Sequence, residues 1–183
     1  MSIKQERFIN GFEKPREELL SPGELEILKL MARGLSEAEI HKESGIPIQL
    51  LRHLLYRDPA HYKSPNVKQK GILPKLGAQS REQAVLKALD LGFLDLGEIE
   101  RKSGFNLERY AELDDKETQL LNVLDDSSHS GRNQILAERL GVVRDTVKDQ
   151  LSSIYRKLEV SNKMQVALFH RIVKSKPPLQ LPN

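Results

Sequence analysis

The sequence predicts an all-α fold with two tandem four-helix domains, each containing a helix-turn-helix. One reason is that apolar residues recur at helical spacing behind helix-capping patterns, whereas no strand-like alternation stands out. The other is that one pattern occurs twice in the same order, which indicates two copies of one supersecondary unit. The matched segments are residues 20–31 with 113–124, 40–55 with 136–151, and 72–76 with 154–158.

The first copy begins with two capped helices. Ser21 can cap a helix whose third residue, Glu24, can bond back to the cap, and Ser36 begins a shorter helix in the same way. A third helix is predicted over about 47–57 and a closing helix over about 80–91. Two short helices joined by a turn, as in the second and third helices here, are the layout of a helix-turn-helix.

The second copy repeats this order with one difference. Asp114 is the predicted cap of its first helix, and Glu117 follows three residues later. The remaining helices are predicted over 135–140, 143–158 and 162–173. The helix over 143–158 has no break, whereas the first copy carries 14 extra residues at the equivalent place, between Leu55 and Ile72.

These patterns predict how the chain is organised. We expect each copy to form its own small domain, joined by an acidic stretch that includes a short helix over 96–102. The predicted parts are an N-terminal extension over 1–19, a first domain over 20–94 with an insert at about 56–71, an acidic linker over 95–112, a second domain over 113–174 and a C-terminal tail over 175–183.

Composition excludes several classes of protein. The 183 residues include no cysteine, so disulfides and thiolate metal sites are excluded and a reducing, cytoplasmic location is expected. No apolar run approaches the roughly 20 residues that span a bilayer, so no membrane partner is expected. The five histidines form no close metal-binding pair on one helix face, and no glycine-rich phosphate loop occurs. We therefore expect neither an enzyme nor a cofactor.

Charge is segregated along the chain. Residues 52–75 carry a net charge of +5, residues 92–117 carry −4, and the whole chain carries +3. Such segregation is expected if some surfaces meet a polyanion and others avoid it, although solvated surface faces would give the same pattern.

The helix over 143–158 has two distinct faces. Val147, Leu151, Ile154 and Leu158 recur at steps of four, three and four, and this face must be buried. The opposite face is polar and holds Arg144, Asp145, Lys148, Asp149, Ser152 and Arg156. An α-helix fits the major groove of B-DNA, where long polar side chains reach bases and phosphates. An ordinary amphipathic surface helix would have the same periodicity.

Two parts of the chain resemble the LuxR/GerE-type helix-turn-helix. The first is LSPGELEIL at 20–28 followed by GLSEAEI at 34–40, and the second is LAERLGVVRDTVK at 136–148. The resemblance implies four-helix DNA-binding domains of bacterial transcription regulators that associate with the nucleoid. It implies that the third helix enters the major groove and that the fourth often forms a dimer contact. The expected partners are double-stranded DNA, RNA polymerase and a second copy of the chain through the closing helices.

The resemblance also implies which residues face DNA. In the second copy they are Arg144, Asp145, Thr146, Lys148, Asp149 and Ser152, with Arg156 and Lys157 near phosphates. In the first copy they are Gln49, Arg52 and His53. From the charge of the insert, we expect Arg57, Lys63, Lys68 and Lys70 to contact the DNA backbone.

A different interpretation concerns the first copy. Its third helix is interrupted by the insert and is unusually apolar, with Ile48, Leu50, Leu51, Leu54 and Leu55. The alternative is therefore a protein-interaction or dimerisation module, in which the first copy does not bind DNA and instead resembles a sigma-factor region or contacts polymerase. If both copies bind, linking them would raise avidity about 10²–10⁴-fold.

Overall fold

In a computed structural model, the chain is described over residues 19–57, 71–126 and 132–176. These residues form helices and turns and contain no strand, so the predicted all-α class is confirmed. Three predicted DNA contacts, Lys63, Lys68 and Lys70, lie outside the described residues. So do residues 1–18 of the extension and residues 177–183 of the tail.

Ten α-helices and one 3-10 helix lie within the described ranges. The helices of the first copy are α1 (Pro22–Ala32), α2 (Glu37–Ser44), α3 (Ile48–Tyr56), α4 (Ile72–Lys75) and α5 (Arg81–Asp90). The connecting stretch holds α6 (Leu96–Ser103) and the 3-10 helix (Leu107–Glu112). The helices of the second copy are α7 (Asp115–Asp125), α8 (Asn133–Leu140), α9 (Arg144–Leu158) and α10 (Lys163–Ser175).

The predicted helix starts are confirmed by side-chain geometry. Ser21, Ser36 and Asp114 each accept a hydrogen bond from the backbone N–H three residues later. In all three cases the glutamate at that third position accepts from the N–H of the cap in return, which completes a capping box. Such caps each stabilise a helix by about 1 kcal/mol, so the sequence sets these boundaries locally.

Two clusters of buried apolar side chains hold the helices together. The first cluster draws on α1 to α6, and it also contains Met164, Leu168 and Ile172 from α10. The second cluster draws on α7 to α10, and it also contains Leu86 from α5. The closing helices of the two copies therefore contribute to each other's clusters. Each copy thus has its own apolar cluster, and the two clusters interlock through the closing helices.

The acidic stretch between the copies is packed rather than extended. The predicted short helix is confirmed as α6, and its Ile99 is buried in the first cluster. Phe105 and Leu107 lie against both clusters, and the Phe105 ring centroid is 5.2 Å from that of Phe169. Apolar contacts thus tie the connection to both halves of the molecule.

The residues at the two ends of the insert, Arg57 and Gly71, lie next to each other. The N–H of Gly71 donates to the carbonyl oxygen of Arg57 at 2.6 Å, which brings the two ends of the insert together. As predicted, this separates α3 from the continuation of the recognition segment, α4. Leu55 and Ile72, on either side of the gap, are both fully buried in the first cluster.

Replacing Gly71 tests this junction. A Cβ at Gly71 would lie 2.8 Å from both the Arg57 nitrogen and the Leu54 oxygen, where only backbone could move. We expect Gly71→Ala to lower the free energy of unfolding by about 1–3 kcal/mol in urea denaturation. Gly23→Ala is the matched control, because a Cβ there meets nothing within 4 Å and helix propensity favours alanine. Equal stability of the two variants would contradict the close approach.

The buried His170 of α10 links the second copy to the connecting stretch through Tyr110. The Tyr110 hydroxyl lies 2.8 Å from Nδ1 of His170, and Nε2 of His170 lies 3.1 Å from Oδ1 of Asn122. Burial lowers the pKa of His170 to about 4, with Asp125 opposing and Lys174 and Arg171 reinforcing the shift. The neutral ring can accept from Tyr110 and donate to Asn122, so both nitrogens are satisfied.

Acid should therefore destabilise the fold at this site. As the pH falls below the ordinary value of 6.5, the unfolded chain binds a proton that folded His170 rejects until about pH 4. The free energy of unfolding should fall by up to about 3 kcal/mol across this window and then level off. Comparing the pH dependence of urea denaturation for the wild type and His170→Gln isolates the effect. Parallel curves between pH 4 and 6.5 would contradict it.

Candidate nucleic-acid interface

Of the helices that carry predicted DNA contacts, α9 has the longest run of exposed polar side chains. Val147, Leu151, Ile154 and Leu158 are buried in the second cluster, as the periodicity predicted. The opposite face, here called the α9 outer face, consists of exposed Arg144, Asp145, Lys148, Asp149, Ser152 and Arg156. Thr146 is half-buried beside them. The structure therefore brings seven of the eight predicted second-copy contacts together on one accessible helix.

Two of these residues form an ion pair along the helix. Lys148 Nζ lies 2.7 Å from Oδ1 of Asp145, and both side chains are more than half exposed. The hydrogen bond from Lys148 lowers the pKa of Asp145, so this acid stays ionised. Exposed ion pairs at this spacing contribute little to stability. Replacing the Asp145 carboxylate by a phosphate as the partner of Lys148 would therefore cost little free energy.

Lys157 is placed differently from the other seven. Its Nζ lies 2.6 Å from Oε2 of Glu117, whose side chain is only 4% exposed. Glu117 is also the capping-box residue of α7. Burial acts to raise the pKa of its carboxyl, but hydrogen bonds from Lys157 and from the Asp114 backbone lower the pKa overall. Lys157 therefore points into the domain and joins α9 to α7. A phosphate contact by Lys157 would require this ion pair to open, so that contact stays a prediction.

The first copy contains the same ion pair at matching positions. Lys75 of α4 lies 2.6 Å from Oε2 of Glu24, the capping-box residue of α1. In the repeat alignment, Lys75 corresponds to Lys157 and Glu24 corresponds to Glu117. The two copies thus share one long-range interaction in addition to their sequence pattern, even though the insert separates α3 from α4.

The predicted first-copy contacts are exposed but more constrained. Gln49, Arg52 and His53 all lie on the exposed side of α3, whereas Arg57 at its end is half-buried. Arg52 Nε donates to Oε2 of Glu37 at 2.8 Å, and the Tyr56 hydroxyl donates to Oε1 of the same carboxylate at 2.9 Å. Glu37 belongs to α2, so this contact ties α2 to α3.

The Glu37 contact was missed in the sequence. Its hydrogen bond from Arg52 lowers the pKa of Glu37, whereas burial raises the pKa of Tyr56 to about 12. A tyrosine four residues after an arginine, as Tyr56 is after Arg52, was the available signal, because such residues share a helix face. Leu50, half exposed on the same side, is the other feature that separates this surface from the α9 outer face.

The distribution of charge around α2 and α3 differs from that around α8 and α9. Residues 132–158 contain six lysines and arginines against three acids, whereas residues 37–57 contain three of each. Over the whole matched stretch, residues 37–76 contain seven lysines and arginines against four acids, so their net charge of +3 equals that of residues 132–158. The positive charge of the first copy therefore comes mainly from the insert, whereas that of the second copy lies within 132–158 itself.

Comparisons of the chain with protein-family models, curated proteins and solved structures found no match in any of the three. Among the described residues, no helix is long and apolar enough to cross a membrane. The same part of the chain holds no group of three or more acidic or histidine side chains that could bind a metal ion. The candidate interface is thus defined by its own geometry.

The placement of Lys157 can be tested by its effect on stability. Lys157→Met keeps the length of the side chain but leaves the carboxylate of Glu117 without its countercharge. We expect the free energy of unfolding to fall by about 2–4 kcal/mol, and we expect part of this loss to be recovered when Glu117→Gln is added. Lys148→Met is the control and should cost less than about 1 kcal/mol. Similar urea midpoints for both single variants would show that the pair with Glu117 adds no more stability than the pair with Asp145. Lys157 would then be as available for a phosphate as Lys148.

Proposed function

We propose that this protein is a sequence-specific, double-stranded DNA-binding transcription regulator that uses two linked helix-turn-helix units. The observation that carries the proposal is the α9 outer face, an uninterrupted helical row of exposed polar side chains over a firmly buried apolar face. A helix of this kind matches the width of the major groove. The resemblance to LuxR/GerE-type regulators supports the same function.

Each type of residue on this face has a role in the proposed complex. Arg144, Lys148 and Arg156 supply positive charge for phosphates or for the O6 and N7 acceptors of guanine. Asp149 can accept from the N4 amino group of cytosine, which makes an acid on this face a source of selectivity. Ser152 donates its hydroxyl to the Lys148 carbonyl at 2.8 Å, so it adds little reach beyond the backbone.

A second function is favoured for the first copy by one observation. Leu50 and Tyr56 are large side chains exposed on α3, and large exposed apolar groups mark protein contacts when they cluster. The described part of the second copy exposes a single such residue, Val143, at the start of α9. A protein partner such as RNA polymerase could bind there. We rank this second because the exposed apolar set in the described residues is small and lies among Gln49, Arg52 and His53.

Binding-site selection from a random duplex library, followed by charge-removal variants, tests the proposed function. Lys148→Ala should weaken binding to the selected duplex by about 1–3 kcal/mol if the lysine reaches a base. It should instead lower the salt slope by about 1 if the lysine reaches a phosphate. Lys102→Ala is the matched control, because Lys102 is similarly exposed and similarly paired, with Glu98, but lies on α6. Failure to enrich any duplex, or equal effects of both variants, would reject the assignment.

A further inference from the structure

The closing helices of the two copies pack against each other reciprocally. Leu86 of α5, in the first copy, is buried in the second cluster. Leu168 of α10, in the second copy, is buried in the first cluster. Extending the match of 72–76 with 154–158 along the chain pairs these two leucines with each other. Each copy thus places the same residue position into the other copy's core, which is the pattern of an isologous dimer contact.

The local structure around the two leucines also corresponds. Ser80 caps α5 by accepting from the N–H of Gln83, and Asn162 caps α10 by accepting from the N–H of Gln165. Each glutamine in turn accepts from the backbone N–H that lies just before its cap, at 2.6 and 2.7 Å. The two closing helices are therefore equivalent elements and not merely neighbours.

Polar contacts fix the relative placement of the copies further. Arg171 of α10 donates to the Leu86 carbonyl oxygen at 3.2 Å and to Oδ1 of Asp90 at 2.8 Å. At the other end of α10, Asn162 Nδ2 donates to the Gly34 carbonyl oxygen at 2.9 Å. A Cβ at Gly34 would lie 2.5 Å from Cγ of Gln165, so a side chain there would require Gln165 to move. These contacts indicate a set geometry rather than a loose tether.

We propose that a single chain acts as a covalent pseudo-dimer, which binds two different DNA half-sites at a fixed spacing through α3 and α9. This inference rests on the proposed DNA-binding function and specifies how the site is read. The apolar residues Val166, Ala167, Leu168 and Phe169 of α10 are fully buried within the chain. No apolar face of α10 is left for the expected homodimer, and one chain supplies both reading helices.

The two half-sites should differ because the two reading helices differ. At matched positions, α3 presents Gln49, Leu50, Arg52 and His53, whereas α9 presents Asp145, Thr146, Lys148 and Asp149. Leu50, exposed at the position of Thr146, offers an apolar contact to the methyl group of thymine. Gln49 can bond adenine through its amide. The first half-site should therefore be rich in A·T pairs, and the whole site should not be palindromic.

The test uses the full chain and the duplex that it selects from a random library. Mass measurement of the complex should give one chain per duplex, and footprinting should show two protected stretches about one helical turn apart. Inserting 5 base pairs between them should weaken binding by ~100-fold, because the second stretch would turn to the opposite face of the duplex and the avidity would be lost. An insertion of 10 base pairs keeps both stretches on the same face of the duplex but increases the distance between them. Because the contacts of α10 with the first copy fix the spacing, we expect this insertion to weaken binding as well.

Point variants then assign each stretch to a helix. Leu50→Ser removes an exposed side chain and should change base preference in one stretch only. Asp149→Ala, also at an exposed position, should change preference in the other stretch only. One protected stretch that is unaffected by Leu50→Ser, two chains per duplex, or tolerance of the 5-base-pair insertion would each overturn the pseudo-dimer while leaving DNA binding intact. Failure to select any duplex would overturn the proposed function as well.

Discussion

Two ion pairs with buried glutamates, Glu24–Lys75 and Glu117–Lys157, determine how α4 and α9 lie against the first helix of each copy. In each pair the glutamate also closes the capping box of the first helix in its copy, so one carboxylate satisfies a helix terminus and neutralises a lysine. Glu24 and Glu117 are almost fully buried, and removing either lysine would leave a poorly hydrated charge. The end of the recognition segment is thus held against the start of the first helix, and the outer face is directed away from the core. The first copy keeps this arrangement although an insert separates α3 from α4, so the ion pair does not require an unbroken helix.

The elements that the sequence predicted well are those determined by neighbouring residues. Ser21 and Ser36 could be identified as caps because their glutamates follow three residues later, and the division of the first recognition segment followed from the extra residues alone. The exposed and buried faces of α9 followed from periodicity in the same way, since a helix places residues four apart on one side. Most of the candidate site could be predicted for this reason.

Long-range contacts could not be predicted in this way. The pairing of Arg52 with Glu37 and the inward turn of Lys157 depend on which helices meet, and sequence spacing does not give that information. The sharing of Leu86 and Leu168 between the clusters has the same origin. One signal was present, because the unbroken apolar run over 166–169 covers more than one side of its helix, and such a helix must be buried from several directions.

The two copies differ in the acidic side chain that a polyanion would have to displace from its basic partner. Lys148 is paired with Asp145, which is 81% exposed, so water can solvate that carboxylate when the lysine moves to a phosphate. Arg52 is paired with Glu37, which is only 21% exposed and also accepts from Tyr56, so freeing Arg52 leaves a less hydrated acid. Lys148 can therefore leave its partner at a lower cost than Arg52. In the first copy the charge over 37–57 is balanced and the positive charge comes mainly from the insert, so α3 itself exposes Gln49 and Leu50 rather than a net positive charge. If both surfaces bind DNA as proposed, joining the copies through their closing helices lets each surface act at the high local concentration that the other creates.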